Sequence, residues 1–375
     1  MSLASVFGFG KKVRYAVVGL GDIAQEALLP GVAHTGNSEV TALVTGDPKK
    51  AGAVGERYGV KDSYDYSQFG DLLRSGTIDA IYLATPNFRH AEFAVPALEA
   101  GISVLCEKPL EVSVEKAMAI LDAEGRSSAK LMVAYRLHFE PATLDLIRRI
   151  RAGELGELTL FTSAFGQFLD PANHRAKHGV EAGPLLDMGA YPINASRYLF
   201  GEEPVEVVSA VSVRSPTSDL GDIDDTVAVT LRFPGDKLAQ FTVSYYANQI
   251  DSFIIAGTKG SVHMSPAYGF GEAMEQHVTI GQKKSTETFR ATDQFGGELK
   301  YFSDCILNNR HPEPDASEGI ADLRVMEAVL KAIESKGPVP IHPEQRKGRI
   351  DPDAQEQKLS PVNPPEPINA AKPSR

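Results

Sequence analysis

Two cysteines, Cys106 and Cys305, in a chain of 375 residues are too few for a disulfide framework, and they do not form a C-x-x-C metal pair. No stretch approaches the ~20 consecutive apolar residues of a membrane span. An excess of positive charge is also missing. The 38 Lys and Arg against 49 Asp and Glu leave a formal charge of -11, which excludes nucleic acid and an anionic membrane surface as main partners and points to small molecules. Neither a G-x-S-x-G serine elbow nor a G-x-x-x-x-G-K-[ST] phosphate loop occurs, and no internal repeat is visible. The first twelve residues carry no leader-like apolar run. With the low cysteine count this predicts a cytoplasmic setting, and a leader removed upstream leaves a periplasmic one open.

What remains is a core-forming composition, 42% hydrophobic and 23% charged, in a chain long enough for two domains. Short β-branched runs at 15–18, 40–44, 80–84, 103–106 and 131–134 alternate with amphipathic stretches such as 91–100 and 113–123. That alternation predicts a doubly wound parallel sheet of the Rossmann kind over residues 11–155. After a helix at 141–152 the texture changes to longer alternating strands at 158–165, 205–213, 226–233 and 238–246, interrupted by a helix over 185–199 and followed by one over 317–335. Residues 156–342 are therefore expected to form an α+β domain with a large, open, mainly antiparallel sheet for substrate binding and oligomerisation. The proline-rich stretch 343–375 is expected to be an extended tail that does not pack.

The first strand runs into Gly19-Leu20-Gly21-Asp22-Ile23-Ala24, a G-x-G-x-x-A turn before a helix. Gly19 permits the tight turn, Gly21 lets backbone approach a pyrophosphate, and Ala24 lets helix and strand pack closely. Pro30 should kink or end the first part of the following helix. A dinucleotide's adenosine ribose calls for an acid about 20 residues past the motif. Thr45 and Gly46 stand there instead. Asp47 precedes Pro48 and is better explained as the cap of the next helix. Lys49 and Lys50 in that helix's first turn are best understood if a ribose 2'-phosphate arrives. This predicts NADP rather than NAD.

Two further groups carry chemistry. Cys106-Glu107-Lys108-Pro109 ends the 103–106 strand, where a parallel sheet opens onto its ligand crevice, so Lys108 would face nicotinamide and substrate. Pro86, Asn87 and His90 follow the preceding strand end, and His90 has a second reading as a helix cap. Asp187 and Tyr191, four apart at the start of the 185–199 helix, would share one face and meet the needs of alcohol oxidation, in which a hydroxyl proton leaves as hydride departs. Half-buried tyrosine with a helix-stabilising aspartate is the plainer alternative. His174 and His178 have a metal-like spacing but lack an accompanying carboxylate, so no metal is expected.

These motifs in order, with Arg197-Tyr198-Leu199-Phe200-Gly201-Glu202-Glu203-Pro204, resemble the Gfo/Idh/MocA oxidoreductase family over roughly residues 13–340. The resemblance implies hydride transfer between NADP and a sugar or polyol carbon, with Lys108, Asp187 and Tyr191 catalytic and Tyr191 the acid/base. It implies cofactor contacts from Gly19, Gly21, Asp22, Ile23, Ala24, Thr45, Gly46, Lys50, Pro86, Asn87, His90, Glu107 and Lys108, and a homodimer or homotetramer built on the open sheet. The tail is not a general family feature, and an arm that straps a neighbouring subunit is one reading of it. Redox-neutral glycosidases or epimerases that retain NAD(P) are the alternative, separable by release of unoxidised sugar. A catalytically silent regulator is disfavoured by the joint presence of Lys108, Asp187 and Tyr191.

Overall fold

The computed structural model describes residues 10–344, 346 and 350–374. The first nine residues, read above for a leader, and residues 345, 347–349 and 375 of the proline-rich stretch lie outside the described residues. Six parallel strands, β1 (Val13–Val18), β2 (Ser38–Val44), β3 (Asp62–Tyr64), β4 (Ala80–Leu83), β5 (Ser103–Glu107) and β6 (Leu131–Ala134), form one sheet in the order β3-β2-β1-β4-β5-β6. The order reverses between β1 and β4, and a crevice opens there at the carboxyl ends of the strands. Every residue of β4 and β6 is buried, as expected of strands with helices on both faces. The crossovers are α1 (Leu29–Thr35), α2 (Pro48–Tyr58), α3 (Phe69–Arg74), α4 (His90–Glu99) and α5 (Val114–Gly125). The break expected near Pro30 takes the form of a π-helical turn over Ala24–Leu28, with Pro30 in the first turn of α1, where its missing N–H costs little.

Helix α6 (Pro141–Arg151) leads to a nine-stranded sheet of β7 (Leu158–Phe168), β8 (Glu206–Val213), β9 (Thr226–Arg232), β10 (Leu238–Ser244), β11 (Tyr246–Gly257), β12 (Gly260–Met264), β13 (Met274–Ile280), β14 (Lys283–Phe289) and β15 (Val339–Pro340), ordered β14-β13-β12-β11-β7-β10-β9-β8-β15. Only the central β7–β10 pair is parallel. Val227, Val229 and Leu231 of β9 and Ala239, Phe241 and Val243 of β10 point into the core, while their neighbours face out. Thus both expected sheet types are present.

The helix expected over 185–199 is two helices, α7 (Pro184–Asp187) and α8 (Ala190–Phe200). Gly189 sits at the break, where a Cβ would lie 2.3 Å from the Leu185 carbonyl oxygen, so only glycine fits. In the core Arg197 of α8 pairs with Glu203, at Nε–Oε2 2.5 Å, and with Glu318 and Asp322 of α10 (Ala316–Ser335). Breaking such a buried network costs about 3–5 kcal/mol, so α8 is held firmly. The two sheets fall on either side of residue 155, yet α9 (Gln294–Leu307) returns to the first. Its Leu299, Phe302 and Cys305 pack with Val13, Tyr15 and Val17 of β1, and Tyr15 Oη lies 2.8 Å from Ser303 Oγ.

The tail departs from its expectation. Its described part forms a short helix, α11 (Pro352–Gln355), on which Arg148 of α6 closes ion pairs with Asp353 and Glu356. The chain then runs back over the parallel-sheet lobe, so it packs, and on its own chain. Among the described residues no helix is long and apolar enough to cross a membrane.

Candidate active site

A cavity of about 690 Å³ lies at the carboxyl ends of the parallel strands and is closed from the other side by the second sheet and α8. At one end are the turn after β1, Thr45, Lys50, Pro86 and Asn87. Gly19 has φ +94°, and a Cβ there would lie 2.6 Å from the Ala84 carbonyl oxygen, so the close approach demands glycine. A Cβ at Gly21 would meet nothing within 4 Å, which leaves open space against the turn's backbone. Asp22 and Ile23 line the wall, and Asp22 Oδ1 is buried without a partner. Burial, reinforced by Glu26, pushes the Asp22 carboxyl up to about 6.

Asp47 is the cap expected of it: it accepts from Lys50 N at 3.0 Å, and its other oxygen takes a hydrogen bond from Asn369 Nδ2 at 2.6 Å. With that carboxylate occupied, Thr45 and Lys50 are left on the cavity wall. An open glycine turn, a neutral strand end and a free lysine fit a dinucleotide carrying a 2'-phosphate.

Three expected contacts stand elsewhere. Ala24 is fully buried between helix and sheet, which is the packing role its size implied. Gly46 lies beside Tyr66 rather than on the cavity wall. His90 is fully buried and bridges two loops, Nε2 3.0 Å from Thr85 O and Nδ1 3.0 Å from Pro109 O. It braces the two loops behind the cavity wall, and burial pushes its pKa down.

At the other end Lys108, Asp187 and Tyr191 come together. Lys108 Nζ donates to Asp187 O at 2.8 Å and to Asp187 Oδ1 at 3.2 Å, and it lies 4.6 Å from the centre of the Tyr191 ring. Burial opposes the Lys108 charge, but the fields of Tyr191, Asp187 and Glu107 outweigh it and raise its pKa. Asp187 closes α7 and Tyr191 opens α8, so they meet across a helix break rather than along one helical face.

Asp187 is already committed. Arg175 Nε lies 2.9 Å from its Oδ2, Tyr245 Oη donates to the same oxygen at 2.9 Å, and burial is outweighed by Arg175 and Lys108, which hold its carboxyl well below the usual carboxylate range. Both of its carboxylate oxygens thus have partners within the chain, Lys108 on Oδ1 and Arg175 with Tyr245 on Oδ2.

Arg136, from the turn after β6, belongs to no motif in the sequence. Its Nη1 donates to Gly269 O at 3.1 Å and Gln294 Oε1 at 2.5 Å, and its Nη2 to Tyr268 O and, at 3.2 Å, to Tyr191 Oη. Arginine has no acceptor, so the Tyr191 oxygen must accept, which leaves its own O–H available to donate. The Tyr191 ring is held edge-on by Phe165, centroids 5.4 Å apart. Arg136, Arg175 and Tyr245 had no local signal, because each acts across a long sequence separation. Exposed His178 packs tilted against Phe88, ring centroids 4.7 Å apart, off the cavity wall. Among the described residues no group of three or more His, Cys, Asp or Glu could hold a metal ion.

Residues 13–135 match the model of an oxidoreductase family with an NAD-binding Rossmann fold, and residues 143–263 match the GFO/IDH/MocA C-terminal domain. The chain is 31% identical over 336 residues to D-xylose 1-dehydrogenase [NADP(+)] of Haloarcula marismortui, covering 87% of this chain and 92% of that one. It is 26% identical to inositol 2-dehydrogenase of Rhizobium meliloti, over 88% and 99% of the two chains. The crystal structure of aldose-aldose oxidoreductase from Caulobacter crescentus superposes with a TM-score of 0.83 at 32% identity, covering 88% of this chain and all of that one. KijD10, a 3-ketoreductase from Actinomadura kijaniata solved with NADP and TDP-benzene, gives 0.78 at 25%, over 86% and 98%.

Proposed function

The chain belongs to the Gfo/Idh/MocA oxidoreductase family, and from that premise we propose that it is an NADP-dependent enzyme oxidising or reducing a sugar or polyol carbon. One observation carries the reading: the glycine turn with Thr45 and Lys50, and the Lys108, Asp187 and Tyr191 cluster, line a single cavity. The D-xylose dehydrogenase relative is named for NADP, in keeping with Thr45 and Lys50 on the wall.

Bound NADP supplies the hydride acceptor, or as NADPH the donor. The chain supplies the rest. Arg136 leaves the Tyr191 O–H available to donate, so in reduction the phenol gives its proton to the carbonyl oxygen. In oxidation the phenolate takes the hydroxyl proton back. Lys108, kept charged by Asp187 and Glu107, lies against the ring and presents its charge to the reacting oxygen. The test is to strip the protein of nucleotide, reload it with NADP and follow nicotinamide absorbance with a panel of aldoses and polyols. NADPH should form with at least one of them. No redox change, with unoxidised sugar released from an aryl glycoside, would select the redox-neutral alternative.

The same reading assigns the outer face of the nine-stranded sheet to a homo-oligomer. Leu160, Val211, Val213, Leu238 and Ile254 are exposed on its strands, and apolar side chains gathered on one sheet face favour association. Light scattering at micromolar concentration should find a dimer or tetramer, and a strict monomer would refute it.

A further inference from the structure

Residues 366–374 cross the mouth of the cavity. On the parallel-sheet side, Arg57 Nη1 donates to Glu366 O at 2.8 Å, and Ile368 exchanges two hydrogen bonds with the Gln25 side chain, N to Oε1 at 2.7 Å and Nε2 to O at 3.0 Å. Asn369 binds Asp47, and Lys372 Nζ lies 3.0 Å from Glu26 Oε1. On the far side Asp170 N donates to Pro373 O at 2.9 Å, Asn173 Nδ2 to Lys372 O at 3.3 Å, and Ser374 bridges to Leu169. Between these anchors Asn369, Ala370, Ala371 and Pro373 line the same cavity as the glycine turn and Lys50.

We propose that this C-terminal segment is part of the cofactor site: it walls the adenosine side of the dinucleotide crevice in its own chain and controls how fast NADP leaves. The proposal rests on the NADP reading above. Three features of the chain carry it. Gln25 is fully buried on the π-helical turn after the glycine motif, and among the described residues the hydrogen bond to its Oε1 comes from the Ile368 backbone, so the turn and the tail are built for each other. Asn369 has φ +47°, a conformation asparagine tolerates better than most residues, and the bend brings its amide onto the cap of α2, the helix bearing Lys50. The side chains that follow toward the cavity are the small Ala370 and Ala371, which leave room for a ligand beneath. Because both ends are tied, a dinucleotide cannot leave by this side until several bonds open together.

The decisive measurement is NADP release from loaded protein, chased with excess unlabelled NADP, for the full chain and for a chain ended after Ser360. That end keeps α11 and the Asp293 N–Leu359 O bond. Removal of the segment should speed release by about tenfold or more, since affinity changes of this kind fall mainly on the off-rate. If the shortened chain does not fold, the full-length double variant Asn369→Ala/Lys372→Ala should still release NADP about threefold faster. Release unchanged in a folded variant overturns the proposal. Failure of the full chain to bind NADP in calorimetry would sink the cofactor reading and this proposal with it, whereas firm binding with unchanged release sinks the proposal alone.

Discussion

At the cofactor end of the cavity the wall is largely backbone and short side chains, from the turn 19–23, Thr45, Pro86, Asn87 and residues 369–371, with one free lysine, Lys50. The reacting end is instead a packed set of charges, Lys108, Arg136, Arg175 and Asp187, with two phenols, drawn from five separate parts of the chain. The first end relies on turns that form locally and leaves its phosphate-binding groups open. The second relies on ion pairs that must be buried and matched before they can act, since an unpaired charge there costs several kcal/mol. Damage should accordingly be graded: losses at the reacting end fall on turnover, and changes at the cofactor end fall on binding.

The largest effect expected is that of Tyr191→Phe, which keeps the ring against Phe165 and Tyr268 but removes the proton-carrying oxygen. Single-turnover hydride transfer should fall by about 10²- to 10⁴-fold with NADP affinity nearly unchanged. A rate close to the unaltered one would return Tyr191 to a packing role. Next comes Arg136→Met, which deletes the donor that aims the phenol. Loss of one charged hydrogen bond predicts a fall of about ten- to a hundredfold in kcat. In a Tyr191→Phe background the same change should cost little more, and an equal loss in both backgrounds would show that Arg136 acts through the fold rather than through Tyr191.

At the cofactor end, Thr45→Asp with Lys50→Ala should reverse the preference from NADP to NAD by about ten- to a hundredfold in calorimetric affinity, the worth of a charged phosphate contact. Stronger NAD binding in the unaltered protein would break the comparison at this end.

The smallest effect is one of pH. Asp22 borders the glycine turn with its carboxyl pushed up to about 6. Below that pH it is neutral, and above it gains a negative charge beside a bound diphosphate. NADP affinity should therefore weaken as pH rises from about 5 to 7, by about fivefold for a repulsion near 1 kcal/mol, and Asp22→Asn should flatten the dependence. Asp187 cannot produce this profile, because Arg175 and Lys108 keep it ionised throughout that range.

The same contrast explains what could be read early. The G-x-G-x-x-A turn and the Asp47-Pro48 cap are sequence-local, and the hydrogen bond of Asp47 to Lys50 N is the expected one. The spacing of Asp187 and Tyr191 predicts one helical face, whereas the two reach the same cavity from separate helices. Gly189 breaks the helix because its neighbour's carbonyl leaves no room for a side chain, and that crowding is a property of packing, not of period. His90, one residue past a 3₁₀ turn at a strand end, looked like a ligand-facing group until burial turned it into a brace.

By itself the sequence determined both sheet types, five of the six strands of the parallel sheet and the glycine turn, because hydrophobic period, turn chemistry and capping act over a few residues, and its ordered motifs carried the family resemblance. The short β3, Asp62-Ser63-Tyr64, has no β-branched run to mark it. Tertiary structure alone decided three things. It brought Arg136, Arg175 and Tyr245 to Lys108, Asp187 and Tyr191, sent α9 back to the first sheet, and laid Asn369, Ala370, Ala371 and Pro373 along the cavity wall. Each depends on contacts between residues far apart in the chain. Their energy comes from burying and pairing groups that no local pattern links, so only the folded chain could select them.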